Sequence, residues 1–426
     1  MLVRFSVENF LSFDEEQVFS MVATGGDQHP THLVSDVPRK GESLLRAAAL
    51  YGANGAGKSN LVQAIRFAKN LIVEGTRGTQ TIPVRPFKLG KEAGRTSKFE
   101  FVIKTGGVLY NYGFRLDANR IHEEWLYATP NKQEVKYFER TTSQDGKVEV
   151  EVGPALSGRS SKQRQFLEFV AQSTRRNQLF FTQAIENNVA ELMPVSEWFQ
   201  EVCLILSAEA RSLDVEGRAH TDKSFVDFLS QFLCTADTGI ESVTTGETPF
   251  DFERYAPDMP EEQRENLRAV VAQLPNDFMT AIRSEDGERY ALRRGDQGQP
   301  MLVRFDMQHR GKDGQQVPFR FHEESEGTQR LIHLLPALFS LHAADMGVVI
   351  VDELDRRLHP MVSRLVVQAA LAGGKMSQLI FTTHDANLLD LALLRRDEIW
   401  FAEKDKAGAS HLYSLAELQD TRRSQD

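Results

Sequence analysis

Gly52-Ala-Asn-Gly-Ala-Gly-Lys-Ser59 narrows the folds open to this chain more than any other stretch. Its spacing, G-x-x-x-x-G-K-S, is that of a loop whose backbone N–H groups curl around a phosphate. In that pattern the lysine reaches the outer phosphate oxygens and the serine coordinates Mg²⁺. Such a loop works between a buried strand and a helix whose positive end faces the anion. Both flanks are present. Leu44 to Tyr51 is a nearly continuous apolar run, as expected of a parallel strand covered on both faces. Leu61, Ile65, Ala68 and Ile72 then share one face of a helix that stops near Gly75. Phosphate contacts are expected from Asn54, Gly55, Ala56, Gly57, Lys58, Ser59 and Asn60.

A second nucleotide motif follows far downstream. Val348-Val-Ile-Val-Asp352-Glu353 is an apolar strand ending in two carboxylates. Asp352 is placed to hold Mg²⁺ through water, with Ser59 as the other protein ligand, and Glu353 to orient or deprotonate the attacking water.

The order of the remaining signals adds a family resemblance. Ser325-Glu326-Gly327-Thr328 lies 27 residues before Asp352, and His384, in Phe-Thr-Thr-His-Asp, follows Glu353 by 31. The chain resembles the ABC ATPases, in which a Ser-Gly-Gly signature precedes the second motif and a switch histidine follows it. That resemblance implies ATP and Mg²⁺ as cofactors and Lys58, Glu353 and His384 as catalytic residues. It further implies Ser325 and Gly327 as a signature that meets the γ-phosphate of a facing subunit. A helix start at Ser325 suits the role, since its free N–H groups and positive dipole attract anions. Three departures stand out: Glu326 replaces the usual glycine, Thr328 stands where Gln or Glu is usual, and His359, in Leu354-Asp-Arg-Arg-Leu-His359-Pro360, takes the place of a partner-facing aspartate. These departures, with Asn9-Phe10, Ser12-Phe13 and the wording GANGAGKSN, look like the branch holding the overcoming-lysogenization-defect (OLD) ATPases and the ATPase halves of two-gene abortive-infection systems. RecF and SMC proteins share part of the pattern. The superfamily also implies a glutamine linking metal to insertion, for which Gln183 is the candidate, and an adenine-stacking aromatic such as Phe13.

The fold class expected is α/β: a P-loop ATPase of ABC type with a parallel core sheet, an antiparallel β arm and a helical insertion. Residues 1–150 carry the P-loop and the arm, since Phe99–Ile103, Val108–Leu116, Glu123–Tyr127 and Val135–Arg140 alternate like strands separated by turn residues such as Gly106-Gly107. Residues 151–285 read as the helical insertion, including Gln165–Gln172, Val195–Leu206 and Glu261–Gln273; Pro194, Pro249, Pro257, Pro260 and Pro275 break any coiled coil. Residues 286–426 complete the ATPase domain with the signature, the second motif and His384.

Composition limits the output of such a machine. A net charge of −10 argues against a general nucleic-acid coat. Cys203 and Cys234 lack a CxxC or a neighbouring His cluster, which excludes a zinc module and suits a reducing compartment. No run of 18 uncharged apolar residues is present, so a cytoplasmic protein without a membrane partner is expected. A homodimer or higher oligomer, closed through an ATP sandwich, follows from the resemblance. OLD proteins carry a TOPRIM nuclease after the ATPase; only about 40 residues follow His384. A separate effector, TOPRIM-like nuclease or toxin, is therefore expected. The alternative is a RecF- or SMC-like DNA-repair or chromosome ATPase, with DNA met by Arg159, Lys162, Arg164, Arg175 and Arg176. A transporter subunit fits least well.

Overall fold

The structure, a computed structural model, describes residues 1–26, 28–35, 42–90, 94–130, 133–157, 161–209, 215–275, 278–283, 289–343, 346–374 and 376–418. The chain divides into two compact units. The first comprises Met1–Glu209, Ser340–Arg356 and Val366–Asp426; the second comprises Ala210–Phe339 and Arg357–Leu365.

Two sheets build the first unit. Across the core sheet the strands run Cys203–Leu206, Met346–Val351, Met376–Thr382, Ala47–Tyr51, Ile399–Lys404 and Ser410–Ser414. All neighbours are parallel except the last pair. Every residue of Ala47–Tyr51 is buried, as a parallel strand covered on both faces requires. The second sheet is antiparallel throughout and orders Val148–Val152, Val135–Thr142, Ile121–Thr129, Val108–Leu116, Ser97–Thr105, Leu2–Glu8 and Gln17–Ser20. Gly106 and Gly107 join two of these strands with φ of 55° and 77°. Two successive positive φ values suit a tight hairpin, and glycine adopts them without strain.

A buried amide ties the two sheets together. Leu2 N donates to Gln378 Oε1 at 2.7 Å, and Gln378 Nε2 donates to Leu2 O at 3.0 Å and Leu45 O at 2.9 Å. Gln378 has no solvent exposure, so losing one of these bonds would leave a buried polar group unpaired. Helix Lys58–Glu74 buries Leu61, Ala64, Ile65, Ala68, Leu71 and Ile72 and ends at Gly75, with φ of 66°.

Residues 151–285, expected as a helical insertion, divide between the two units and carry strands as well as helices. In the second unit Ile240–Pro249, Pro300–Arg310, Arg289–Arg294 and Met279–Arg283 form a sheet in that order, with Gln316–Arg320 paired to Pro300–Arg310. Helices Lys223–Thr235 and Glu261–Gln273 belong to the same unit. Its core gathers Phe250, Phe252, Tyr255, Val271, Leu292 and Leu302. The boundary expected at residue 150 also moves, because 151–209 pack with the first unit. Within 195–206 the expected helix gives way after Val202 to the strand Cys203–Leu206. A short apolar run such as Cys-Leu-Ile-Leu has no periodicity to separate strand from helix. Parallel pairing with Val348–Val351 decides it.

Candidate functional site

The carboxyl ends of the core strands converge on the glycine-rich loop, the position where open parallel sheets place their ligands. Gly52 has φ of 151°, and a Cβ there would meet Ala402 O at 2.3 Å. Gly57 has φ of 115°, and its Cβ would meet Ser410 Oγ at 2.4 Å. Both glycines are therefore imposed by strands packed behind the loop. Ala53, Asn54 and Gly55 are exposed along its rim. Asn60 Nδ2 donates to Ser12 Oγ at 2.7 Å, and Ser410 Oγ donates to the same Ser12 oxygen at 2.8 Å. Asn60 thus fastens the helix to the Asn9–Phe13 turn and the C-terminal hairpin.

Lys58 is 4 % exposed and donates to the carbonyls of Gly52 at 2.7 Å and Ala53 at 3.1 Å; His384 Nδ1 lies 3.4 Å from its ammonium. Burial lowers the pKa of Lys58, with Glu353, Asp352 and Asp355 pulling the other way. A partly dehydrated ammonium facing three carboxylates and an exposed loop of N–H groups is a ready anion receiver.

Asp352 is the hub. Its Oδ1 accepts from Ser59 Oγ at 2.9 Å and from Thr382 Oγ1 at 2.7 Å, and its N–H donates to Leu206 O at 2.9 Å. Ser59 and Asp352 therefore set two hard oxygen donors side by side, the chemistry Mg²⁺ prefers. Among the described residues there is no group of three or more His, Cys, Asp or Glu side chains that could hold a metal. A Mg²⁺ ion between Ser59 and Asp352 would thus complete its shell with phosphate and water. Glu353 sits next in line with φ of 51°, an uncommon backbone state for a residue with a side chain. Its N–H donates to Thr382 Oγ1 at 2.8 Å, and Leu354 N donates to Thr382 O at 3.0 Å, which holds that strained turn in place. His384 lies just past the end of the adjacent strand Met376–Thr382, its N–H shared between the two carboxylate oxygens of Asp355 at 3.2 and 3.3 Å.

In the second unit Ser325 begins helix Glu326–Ala343: its Oγ accepts from Thr328 N at 3.2 Å and lies 2.9 Å from Thr328 Oγ1, while its carbonyl accepts from Gln329 N at 2.9 Å. The side chain therefore caps the helix and remains exposed. Gly327 leaves no room for a side chain, since a Cβ would come within 2.8 Å of Arg357 O. Glu326, in the usual glycine's place, lies 3.5 Å from Arg357 Nε. His359 is exposed, and its Nδ1 accepts from Met361 N at 3.3 Å.

Two expected roles do not survive. Gln183 donates from Nε2 to Ser173 Oγ at 3.3 Å, and the neighbouring Thr182 Oγ1 donates to Ile72 O at 2.9 Å. Ile72 lies 13 residues along the helix from Ser59. At helical rise that is about 20 Å, far beyond metal–ligand reach. Phe13 has no exposed surface and bridges Phe10, so it is core and unavailable for stacking on a base. Of the basic cluster, Arg159 lies outside the described residues. Arg175 is spent on Thr76 O at 2.5 Å, whereas Lys162 and Arg164 are exposed.

Sequence reasoning missed Thr382, which joins Asp352 to Glu353, and Asp355, which holds His384. Both stood inside motifs already noticed, but a hydroxyl or carboxylate bonded to backbone leaves no spacing signal. It missed also the segment Ser207–Glu209, which follows a core strand and lines a pocket with Asp352.

The fold is that of a P-loop ATPase. Among solved structures, the chain is similar to an SMC head bound to the C-winged helix domain of ScpA, at 13 % identity over 97 % of both chains with a TM-score of 0.47. It is similar also to the SMC head domain from Thermotoga maritima, at 14 % identity over 97 % of this chain and 98 % of that one, TM-score 0.37. The Pyrococcus furiosus Smc head with an extended coiled coil aligns at 12 % identity over 100 % and 99 %, TM-score 0.41. No curated protein matches. A family match spans residues 47–151 and 165–390, most of the chain and including Lys58, Ser59, Asp352, Glu353 and His384, and by it the chain belongs to the family described as "AAA domain, putative AbiEii toxin, Type IV TA system".

Proposed function

We propose that the protein binds and hydrolyses ATP as a dimeric switch, and that its output passes to a separate effector in a defence system of the abortive-infection kind. The observation that carries the reading is the meeting of Lys58, Ser59, Asp352, Glu353 and His384 around one loop at the ends of parallel strands. Bound ATP–Mg²⁺ supplies the γ-phosphoryl group and the charge that neutralises its oxygens. The chain's own residues do the rest. The loop N–H groups and Lys58 hold the phosphates, Ser59 and Asp352 face the metal, and Glu353 orients a water for attack. His384, fixed through its backbone by Asp355, stands beside Lys58 where the outer phosphate arrives.

Ser325 and Gly327 belong to the second unit, with an exposed hydroxyl at a helix start. Their role is to meet the γ-phosphate held by a second copy, so that two copies enclose two nucleotides. The family's description names a toxin–antitoxin system, a two-component arrangement that supports a partner protein of some kind. Among the described residues no helix is long and apolar enough to cross a membrane.

Glu353→Gln tests the core of this reading. The variant keeps size and most hydrogen bonding but cannot accept a proton from water. It is expected to accumulate as an ATP-bound dimer, measured by light scattering with excess ATP. A variant that stays monomeric and hydrolyses ATP at the wild-type rate would overturn both the dimer and the role of Glu353.

A further inference from the structure

Beside Asp352 lies a surface pocket of about 470 Å³, lined by Gln63, Arg66, Arg85, Glu209, Asp352 and Arg356 among others. That volume falls within the range of small-ligand sites. Gln63 and Arg66 come from one face of the helix that starts at Lys58, three residues apart. Arg85 is held on the opposite wall: Leu11 N donates to its carbonyl at 2.8 Å, and its Nη2 donates to Gln63 Oε1 at 2.6 Å.

The cationic side chains outnumber what the pocket's own acids neutralise. Neither Arg66 nor Arg85 has a carboxylate partner, and Arg66 has no hydrogen-bond partner of any kind among the described residues. Arg356 alone is paired. Its Nη1 donates to Glu353 Oε2 at 3.2 Å and its Nη2 to Glu209 Oε1 at 3.4 Å. Glu209 is 83 % exposed along its side chain, and Asp352 accepts through Oδ1 from the hydroxyls of Ser59 and Thr382. Three guanidinium groups with one free of any partner match a phosphate group, whose oxygens take parallel N–H donors.

We infer that this pocket is a second anion site, distinct from the ATP loop, that takes a phosphate-bearing ligand through Arg66, Arg85 and Arg356 and thereby draws Arg356 away from Glu353. In the present arrangement Arg356 occupies one oxygen of the carboxylate that must receive a water's proton. An anion in the pocket competes for the same guanidinium and frees that oxygen. The site would then couple ligand arrival to hydrolysis. That coupling, though not the binding, rests on the role proposed for Glu353.

The test uses the full chain saturated with Mg²⁺ and a non-hydrolysable ATP analogue, so that the ATP loop is filled. Inorganic pyrophosphate and a short single-stranded oligothymidylate are titrated separately at low salt by calorimetry, against wild type, Arg66→Glu and Arg85→Glu. One probe is expected to bind wild type and to lose at least about tenfold in affinity in both variants, whose thermal unfolding is recorded alongside. Pyrophosphate alone would identify a free anion as the source; the oligonucleotide, with a steep salt dependence, a nucleic-acid backbone. Neither probe binding, or both binding the folded variants as tightly as wild type, overturns the site. In turnover with ATP, the binding probe is expected to raise the wild-type rate several-fold, and not that of Arg66→Glu. Binding through Arg66 without any change in turnover overturns the link to Glu353. Absence of hydrolysis under every condition would instead remove the ATPase reading, and calorimetry would still decide the pocket.

Discussion

Ser59 Oγ and Asp352 Oδ1 lie 2.9 Å apart although 293 positions separate them in the chain. The first opens the helix after the glycine-rich loop, and the second ends a strand two places across the core sheet. Parallel order puts both at the same edge. Ser59 and Asp352 would hold a cation there in place of the hydrogen bond they now share. Wild-type protein is therefore expected to bind ATP at least about tenfold more tightly with Mg²⁺ than with EDTA, and Asp352→Asn to lose most of that difference. Fluorescent-nucleotide titration with and without the metal measures it. Equal metal dependence in the two proteins would remove Asp352 from the metal site.

Thr382 offers a cleaner separation of chemistry from binding. Its hydroxyl donates to Asp352 and accepts from the N–H of Glu353, and it is 1 % exposed. Valine matches its shape and removes both bonds. Thr382→Val is expected to cost about 1–3 kcal/mol in unfolding free energy, because the Glu353 N–H is left unpaired and Asp352 keeps only the bond from Ser59. It should lower kcat by roughly tenfold or more while KM for ATP stays within about threefold, because Glu353 loses its anchor and the phosphate loop does not. A KM that rises as steeply as kcat falls would show that Thr382 serves nucleotide binding.

Much of the site was legible in the sequence, and the reasons differ by residue. Gly52, Gly57, Lys58 and Ser59 are bound to one another by local geometry: steric demands at two glycines, and a helix start that must follow them. Asp352-Glu353 was legible as a strand end. Gln183 failed because its role depended on which end of a helix its own segment meets, and packing by Thr182 against Ile72 and Gly75 placed it at the far end. Phe13 failed for a related reason, since a turn aromatic reads alike whether its ring faces solvent or core. The second unit was misjudged because Ile240–Pro249, rich in Thr and Glu, is a half-exposed strand with weak alternation.

Lys58 tests the cost of holding a charge ready. Burial depresses its pKa below 10.5, so the charged form opposes folding at every pH below the folded value. That opposition fades as pH rises through the folded value toward 10.5. Lys58→Met is expected to leave the nucleotide-free protein at least as stable as wild type at neutral pH, with the difference shrinking as pH rises toward 10.5. ATP affinity should fall by about two orders of magnitude. Thermal unfolding across pH, together with nucleotide titration, reads both. A variant markedly less stable at neutral pH would mean that the bonds to Gly52 O and Ala53 O outweigh the burial of the charge.

The sharing of one nucleotide site between two copies can be decided by mixing. Lys58→Ala disables the loop of its own copy, and Ser325→Arg blocks a signature with an exposed serine, at the loss of one helix cap worth about 1 kcal/mol. Each variant alone should be nearly inactive. In a mixed dimer, one site would combine both defects. The other would combine the intact loop of the Ser325→Arg copy with the intact signature of the Lys58→Ala copy. Equal, freely exchanging mixtures are then expected to recover about a quarter of the wild-type ATPase rate, since half the dimers are mixed and each holds one whole site of two. If loop and signature served the same nucleotide within a single copy, no mixture could recover activity. Phosphate release measured after co-incubation, with dimer exchange followed by a tag on one variant, separates the two arrangements.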